Sequence, residues 1–218
     1  SNQLNIPLQD IKSIEVLKDA ASTAIYGAKG ADGVLLVETY KGRLGKVKFD
    51  FTYKGSLNAQ PPAIPLLNGD EYIMLQLEEW HNYKGVFDIP SEIAYDPDYS
   101  GFYNYSANTD WMAEVTQLGY THDAYLSIQG GGEKTRYFTS FSYVDETGTT
   151  VNTGAKTFST RVNLDYFLSK KIAFTIQFSY SNVNRERMKT VKKEDFTDRN
   201  VREMAYIKAP NMSIWEYD

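Results

Sequence analysis

The chain of 218 residues contains no cysteine and only two histidines. Without cysteine it has neither disulfide bridges nor thiolate metal sites. It also lacks any run of about 18 apolar residues, which excludes a transmembrane helix. Basic residues are not in excess, because the formal net charge is -5, and this argues against a nucleic-acid-binding protein.

The mean hydropathy of -0.46 is that of an ordinary soluble protein. It does not exclude an outer-membrane barrel, because lipid-facing and lumen-facing residues alternate along each strand of such a barrel and the average cancels. What the chain has in quantity is aromatic residues: 17 Tyr, 11 Phe and 3 Trp. Aromatic residues favour strands and form girdles at bilayer interfaces. An aromatic-rich soluble β-sandwich has the same composition, so the sequence pattern has to decide.

Period-2 alternation is the main pattern of the chain. One set of alternating positions is bulky and apolar, the other is small and polar, and short turns alternate with long polar loops. This arrangement predicts barrel strands with apolar side chains outside and polar ones inside. Five strands are predicted, near residues 46–55, 121–130, 134–145, 157–168 and 171–183. Since single-chain outer-membrane barrels have an even number of strands from about eight upward, we expect the chain to be part of a longer protein.

Residues 11–40 have a different pattern. Lys12–Leu17 predicts a short strand, and the small residues at 18–24 suit one or two helical turns. Val34–Val37 is a short apolar run between turn signals, which predicts a buried strand. The composition changes at 41–45, and we place a domain boundary there.

Three glycines punctuate this first segment. Gly27 is placed as a left-handed residue past the end of a helix, and Gly30 and Gly33 are expected to make turns with positive φ. Their spacing invites comparison with a phosphate-binding loop. It lacks the Lys-Ser/Thr of such a loop and does not fit the dinucleotide fingerprint, so the glycines are predicted to have a structural role.

No pattern of catalytic or metal-binding residues emerges. His81 and His122 share no short ligand motif. The acidic residues Asp96, Asp98 and Asp110 lack the alternation of an EF-hand calcium loop. We therefore predict that the protein is not an enzyme and holds no metal or cofactor.

A polar loop is expected over residues 95–108, and it is rich in tyrosine. Tyrosine rings can stack on sugar rings or simply pack within a loop. Both readings stay open, and the candidate substrate-facing residues are Tyr95, Tyr99, Tyr103 and Tyr105.

The first segment also carries a family resemblance. The motifs LKDA at 17–20, AIYG at 24–27 and GADGV at 30–34 resemble the end of the plug domain in the SusC/RagA subfamily of TonB-dependent outer-membrane transporters. Lys29 and Asp32 depart conservatively from the Arg and Asn usual in that subfamily. Strand segments further on also resemble it. The plug-motif residues, to which a structural role is assigned, are Leu17, Lys18, Asp19, Ala20, Tyr26, Gly27, Gly30 and Gly33.

The resemblance implies a mainly β fold. The end of a small α+β plug domain, residues 1–42, would be followed over residues 43–218 by the first antiparallel strands of a large transmembrane β-barrel. It further implies TonB-dependent import of a large nutrient, such as an oligosaccharide or peptide, across the cell outer membrane. The implied partners are TonB, a SusD-like surface lipoprotein, the substrate and outer-membrane lipid, with no nucleic acid. The alternative function is that of a soluble secreted β-sandwich that binds carbohydrate.

Overall fold

The computed structural model describes residues 6–19, 23–30, 33–84, 89–187, 191–193 and 196–217. The chain divides into two compact units, each made of segments that are separate in sequence. Unit 1 comprises residues 1–57, 120–147 and 154–186, and unit 2 comprises residues 58–119, 148–153 and 187–218.

Unit 1 is built around a five-stranded antiparallel sheet, in which the strands lie in chain order. All five strands predicted from the alternation are confirmed, each one to four residues longer than expected. They are β3 (Gly45–Asn58), β4 (Gly119–Gly131), β5 (Thr135–Thr147), β6 (Gly154–Ser169) and β7 (Ile172–Glu186).

The register of the sheet places each strand's alternating residues in common rows. Leu126 lies opposite Phe141, which lies opposite Thr160, and Thr160 lies opposite Tyr180. Because pairing is continuous, one set of alternating positions from each strand shares a face. Between β6 and β7 the register is interrupted near the turn, between Phe167 and Ser169.

The two faces of this sheet reverse the arrangement of a water-soluble protein. The face with small polar side chains is buried, and its most buried members are Ser127, Ser140, Ser142, Ser159 and Asn163. The opposite face exposes its large apolar side chains: Phe141, Tyr143, Phe158, Tyr166, Phe174, Ile176, Phe178 and Tyr180. The predicted direction of alternation is therefore confirmed.

Unit 1 also contains a two-stranded antiparallel ribbon formed by β1 (Ile11–Leu17) and β2 (Val34–Thr39). A 3-10 turn at Leu8–Asp10 precedes β1, and a 3-10 segment at Ala24–Gly30 lies between the strands. The expectation that Val34–Val37 is buried is wrong, since Leu35 is 62% exposed. In the described residues the ribbon has only two strands, and a ribbon of two strands cannot bury both of its faces.

The glycines of the ribbon depart partly from expectation. Gly27 and Gly33 have positive φ, of 59° and 98°. Gly27 is not left-handed, because its ψ is -147°, and it lies at a kink inside the 3-10 segment rather than after a helix. The prediction of a positive φ at Gly30 is wrong. This residue is buried, and a Cβ at this position would meet the carbonyl oxygen of Thr23 at 2.8 Å. Close packing, not backbone conformation, requires glycine at this position.

Unit 2 consists mostly of short helices and connecting segments. Its longest helix in the described residues is α1 (Gly69–Lys84). The expected loop at 95–108 includes a helical turn, and another precedes it. The remaining elements are α2 (Ser91–Ala94), α3 (Phe102–Tyr105), α4 (Trp111–Val115), β8 (Val191–Lys193), β9 (Phe196–Arg199) and α5 (Val201–Ile207).

Side-chain caps set where several of these helices begin. Asp110, the N-cap of α4, accepts a hydrogen bond from the backbone N–H of Ala113. Asn200 and Glu203 form a reciprocal capping box at the start of α5. In the part of the chain that the structure describes, no helix combines the length and apolar character needed to cross a membrane.

Candidate functional site

The most concentrated polar site in unit 1 surrounds Asp10. This residue ends the 3-10 turn before β1 and its side chain is fully buried. Its carboxylate accepts hydrogen bonds from the hydroxyl groups of Tyr125 and Ser140, each at 2.8 Å. It also accepts one from Nε of Arg161 at 3.3 Å. We call Asp10, Tyr125, Ser140 and Arg161 the Asp10 seat.

The residues of the seat come from four different parts of unit 1. Tyr125, Ser140 and Arg161 lie on β4, β5 and β6, at positions that the alternation assigns to the polar face. Ser140 lies opposite Arg161 in the register of β5 and β6. Asp10 comes from the segment before the ribbon. The seat therefore joins the N-terminal segment to three neighbouring strands.

The electrostatics of the seat favour a paired state. The side chains of Asp10 and Arg161 are 0% and 13% exposed, so both charges have lost most of their hydration. Such desolvation is costly, and it is offset only where the charges are paired and the remaining lone pairs are hydrogen-bonded. The two hydroxyl groups supply those additional bonds, and hydrogen bonds to a charged acceptor are stronger than neutral ones.

A second set of contacts lies beside the seat. The backbone N–H of Tyr40 donates to the carbonyl oxygen of Asp10 at 3.0 Å. The carbonyl oxygen of Tyr40 in turn accepts from Nδ2 of Asn163 at 2.7 Å. The Tyr40 ring contacts that of Phe138, with 6.1 Å between centroids. Both strands of the ribbon are thus held on the polar face of the sheet, at the end where Ile11 pairs with Thr39.

Gly42 continues this contact. A Cβ at this position would overlap the backbone nitrogen of Tyr137 on β5. The chain between the ribbon and β3 therefore passes directly against the sheet, and only a residue without a side chain permits that approach.

The seat has no features of a catalytic centre. Its groups satisfy one another, and in the described ranges no three histidine, aspartate or glutamate side chains are grouped to hold a metal ion. What the arrangement can do is fix one chain segment against a polar surface.

The predicted plug-motif residues lie in or beside the ribbon and outside the seat. Leu17 ends β1 opposite Val34, and Lys18 and Asp19 follow it. The carbonyl oxygen of Asp19 accepts from both the N–H and the hydroxyl of Thr23. Tyr26 is 40% exposed. Ala20 lies outside the described residues.

Sequence reasoning missed Asp10. A signal for it was present, because the alternation placed the cation of Arg161 on the polar face of its strand, where a buried counter-charge was needed. Nothing in the sequence said which of the 28 acidic residues would supply that charge.

The candidate tyrosines in unit 2 form only part of a cluster. Tyr95 and Tyr103 both contact the ring of Phe102 edge-on, at centroid distances of 5.3 and 5.5 Å. Tyr103 also contacts Tyr217 at 6.0 Å. Tyr103 is 67% exposed and Tyr95 is 51% exposed, so both rings offer surface for contact. Phe102 and Tyr217 were not predicted.

The other two tyrosines have different surroundings. The Tyr99 ring lies against Gly101, where a Cβ would come within 2.8 Å of it. The carbonyl oxygen of Tyr105 accepts from the buried side chain of Asn211 at 3.1 Å. Tyr105 therefore contributes its backbone to packing, and no ring contact joins these two tyrosines to the cluster among the described residues.

Unit 2 also contains a cavity of about 590 Å³. Apolar residues of 63–67 line one part of it, and Trp111 and Ala205–Pro210 line another. The Trp111 indole N–H donates to the carbonyl oxygen of Ala209 at 2.9 Å, and Nζ of Lys208 lies 3.6 Å from the ring centroid. This cation–π contact and hydrogen bond fix the orientation of the tryptophan.

Comparison with known proteins gives a consistent class. No family model matches the chain. TonB-dependent receptor P3 of Formosa agariphila is 29% identical over 211 residues, which cover 96% of this chain and 19% of that protein. TonB-dependent receptor SusC of Bacteroides thetaiotaomicron is 29% identical over 176 residues, or 79% of this chain and 16% of that protein.

Solved structures similar to this chain agree with the sequence relatives. The chain is similar to one in the structure of the RagAB peptide importer in its open-open state, with a TM-score of 0.70 and 23% identity over 84% of this chain and 23% of that one. A chain in the closed-closed state of the same importer gives a TM-score of 0.66 and 25% identity.

These similarities show a mainly β fold with an antiparallel sheet resembling part of the RagAB chain, and the similar sequences are those of TonB-dependent receptors. The resemblance to the SusC/RagA subfamily of TonB-dependent receptors is confirmed, and with it the outer-membrane location. The chain spans about a fifth of the length of the curated relatives that it matches.

Proposed function

We propose that this chain contributes to TonB-dependent import of a large nutrient, an oligosaccharide or a peptide, across the outer membrane. In this proposal residues 1–42 are the last part of the plug and residues 43–218 are early strands and loops of the barrel. No covalent bond of the nutrient is made or broken. The observation that carries the proposal is the reversed sheet of unit 1, with its apolar face exposed and its polar face covered by the N-terminal segment.

The dimensions of the apolar face support a lipid contact. Along β7, the apolar outward positions from Ile172 to Tyr180 span about 27 Å at the antiparallel rise. With a strand tilt of about 40°, that corresponds to a height of about 21 Å, close to the apolar band of about 25 Å in outer-membrane barrels. At one end of the sheet, Asp145 lies in a polar row between His122 and Lys156.

The Asp10 seat supports the plug assignment. In a plugged barrel the plug contacts a polar inner wall. Here the segment that precedes the ribbon is bonded to the polar face of three strands through a buried carboxylate. Import would require the plug to move when TonB pulls on the segment N-terminal to it.

The partners follow from the class. We propose TonB as the energy source and a SusD-like surface lipoprotein as the lid. For the substrate, the exposed rings of Tyr95 and Tyr103 are candidates for stacking on sugars or on peptide side chains. A soluble carbohydrate-binding sandwich is the weaker alternative, because it would leave the row from Phe174 to Tyr180 in water.

The proposal is tested in cells that express the complete gene, with and without TonB. We expect the protein in the outer-membrane fraction and accumulation of a labelled oligosaccharide or oligopeptide only when TonB is present. Screening both classes of substrate separates them. Recovery of the full-length protein as a soluble monomer without detergent would overturn the proposal.

A further inference from the structure

We propose that the Asp10 seat is a mechanical stop, which prevents a pull on the N-terminal side of Asp10 from opening the β1–β2 ribbon. This inference goes beyond import itself. It rests on the proposed function only for the source of the pull, because the mechanical property belongs to the fold of unit 1.

The order of elements along the chain supports the stop. A pull from the N-terminal side reaches Asp10 before it reaches Ile11, the first residue of β1. Ile11 is paired with Thr39 at the end of the antiparallel ribbon. Without a stop, the force would therefore open the ribbon from this end, one pair at a time.

The ribbon alone offers little resistance to such a pull. Its cross-strand ion pair, between Lys12 and Glu38, has side chains that are 54% and 44% exposed. The hydrogen bond from Lys12, more than its charge, lowers the pKa of Glu38, so the contact exists, but exposed pairs contribute little to stability. Leu35 and Val16 are also largely exposed.

The Asp10 seat differs from the ribbon both in burial and in the number of contacts. Its carboxylate is fully buried and bonded to residues of three strands. Drawing Asp10 out would leave the Arg161 cation without its partner on a surface from which most water is excluded. All three donors would have to be lost nearly together, whereas the ribbon pairs can be lost in sequence.

The second strand of the ribbon is anchored at the same place, just after Thr39. Tyr40 donates to the Asp10 carbonyl oxygen, and Asn163 donates to the Tyr40 carbonyl oxygen. Only a few residues separate Tyr40 from β3, which begins at Gly45. A load on Asp10 is thus passed to the sheet and bypasses the residues from Ile11 to Thr39.

Single-molecule pulling on the complete protein in outer-membrane vesicles tests the stop. The handle is attached through Leu8→Cys, a position that is 80% exposed; these 218 residues contain no cysteine, and any cysteine elsewhere in the complete protein is first replaced by serine. We expect one high-force rupture followed at once by release of the ribbon, a gain of about 100 Å at about 3.4 Å per extended residue.

Asp10→Ala removes the stop. The same gain in length should then occur at low force without a preceding rupture, and the lifetime under constant load should fall about a hundredfold or more, as expected for a lost buried ion-pair partner. Glu38→Ala is the matched control, since it removes an acidic side chain from the exposed ribbon pair and should leave the rupture force unchanged.

Two results would overturn the inference. One is an equal rupture force in the Asp10→Ala variant and the parent protein. The other is a loss of force in Glu38→Ala as large as that in Asp10→Ala, which would place the load on the ribbon.

Tyr125→Phe serves as a second variant if the Asp10→Ala protein fails to assemble. It removes only one of the three donors to Asp10, so the rupture force should fall by less than in Asp10→Ala. Since pulling requires neither TonB nor nutrient, absence of import would leave this result intact.

Discussion

Phe138 and Phe141 lie three residues apart on β5, and their surroundings are opposite. Phe138 is 2% exposed and packs on the polar face of the sheet against Tyr40, whereas Phe141 is 42% exposed among other large apolar side chains. The polar face is the protein interior and the apolar face is its outside. In a water-soluble protein this distribution would be unstable, so the comparison indicates that the outer surroundings of the sheet are lipid.

The two faces also differ in how precisely they specify structure. The inner face is held by directional bonds such as those of the Asp10 seat and the bond from Asn163 to Tyr40. The outer face needs only apolar side chains of adequate size, because lipid chains adapt to them. Substitutions on the two faces should therefore obey different rules.

The largest effect is expected for Arg161→Leu, which leaves the Asp10 carboxylate buried without a cation. Removing one member of a buried ion pair typically costs about 3–5 kcal/mol. Hydrogen exchange of the Tyr40 amide, which donates to Asp10, should become faster by the corresponding factor. Lys156→Leu, on the exposed face of the same strand, is the control. Equal exchange in the two variants would contradict a specific role of Arg161.

The next effect concerns the outer face. Phe178→Arg places a charge in the middle of the apolar band and should lower the free energy of unfolding from lipid vesicles by about 2–4 kcal/mol. Asn182→Arg, on the same strand toward the end of the band, should cost about 0–1 kcal/mol. Denaturant titration of the vesicle-inserted protein measures both. If Phe178→Arg proves neutral, as exposed positions in water usually are, the lipid assignment fails.

Gly42→Ala tests the close approach of the connecting chain to β5. Because a Cβ has no room beside the backbone of Tyr137, we expect a loss of about 1–3 kcal/mol, the usual effect of overpacking. Gly132→Ala is the matched control, since nothing lies within 4 Å of a Cβ at that turn. Thermal unfolding compares the two variants, and identical midpoints would place Gly42 away from the sheet.

The smallest effect is expected for substitutions of Phe138 and Phe141, the two residues compared above. Phe138→Leu should cost up to about 1.5 kcal/mol through lost packing on Tyr40. Phe141→Leu should be close to neutral in a bilayer, because lipid chains are about as apolar as leucine. The difference in melting temperature between the two variants in vesicles is the measurement. A larger loss for Phe141 would reverse the assignment of the faces.

Much of the sheet could be predicted because alternation is local information. A strand such as β7 has a single possible inward set once Phe174 and Phe178 are on one face, and the turn at Lys170–Lys171 fixes where it begins.

The predictions failed where contacts with other parts of the chain determine the structure of a segment. The apolar run at Val34–Val37 predicts a buried strand, yet burial depends on which elements cover it, and Leu35 is exposed. Gly30 was assigned a turn conformation, while its actual constraint is the carbonyl oxygen of Thr23. The tyrosine segment did not reveal Phe102 and Tyr217 as its ring partners.

By itself the sequence determined the class, through the LKDA, AIYG and GADGV motifs, and the two-sided strands, through side chains that must alternate with a period of two. Only the tertiary structure decided that Asp10 pairs with Arg161, 151 positions further along the chain. Such a bond depends on the register of three strands and on the path of a separate segment, and no local pattern encodes that combination.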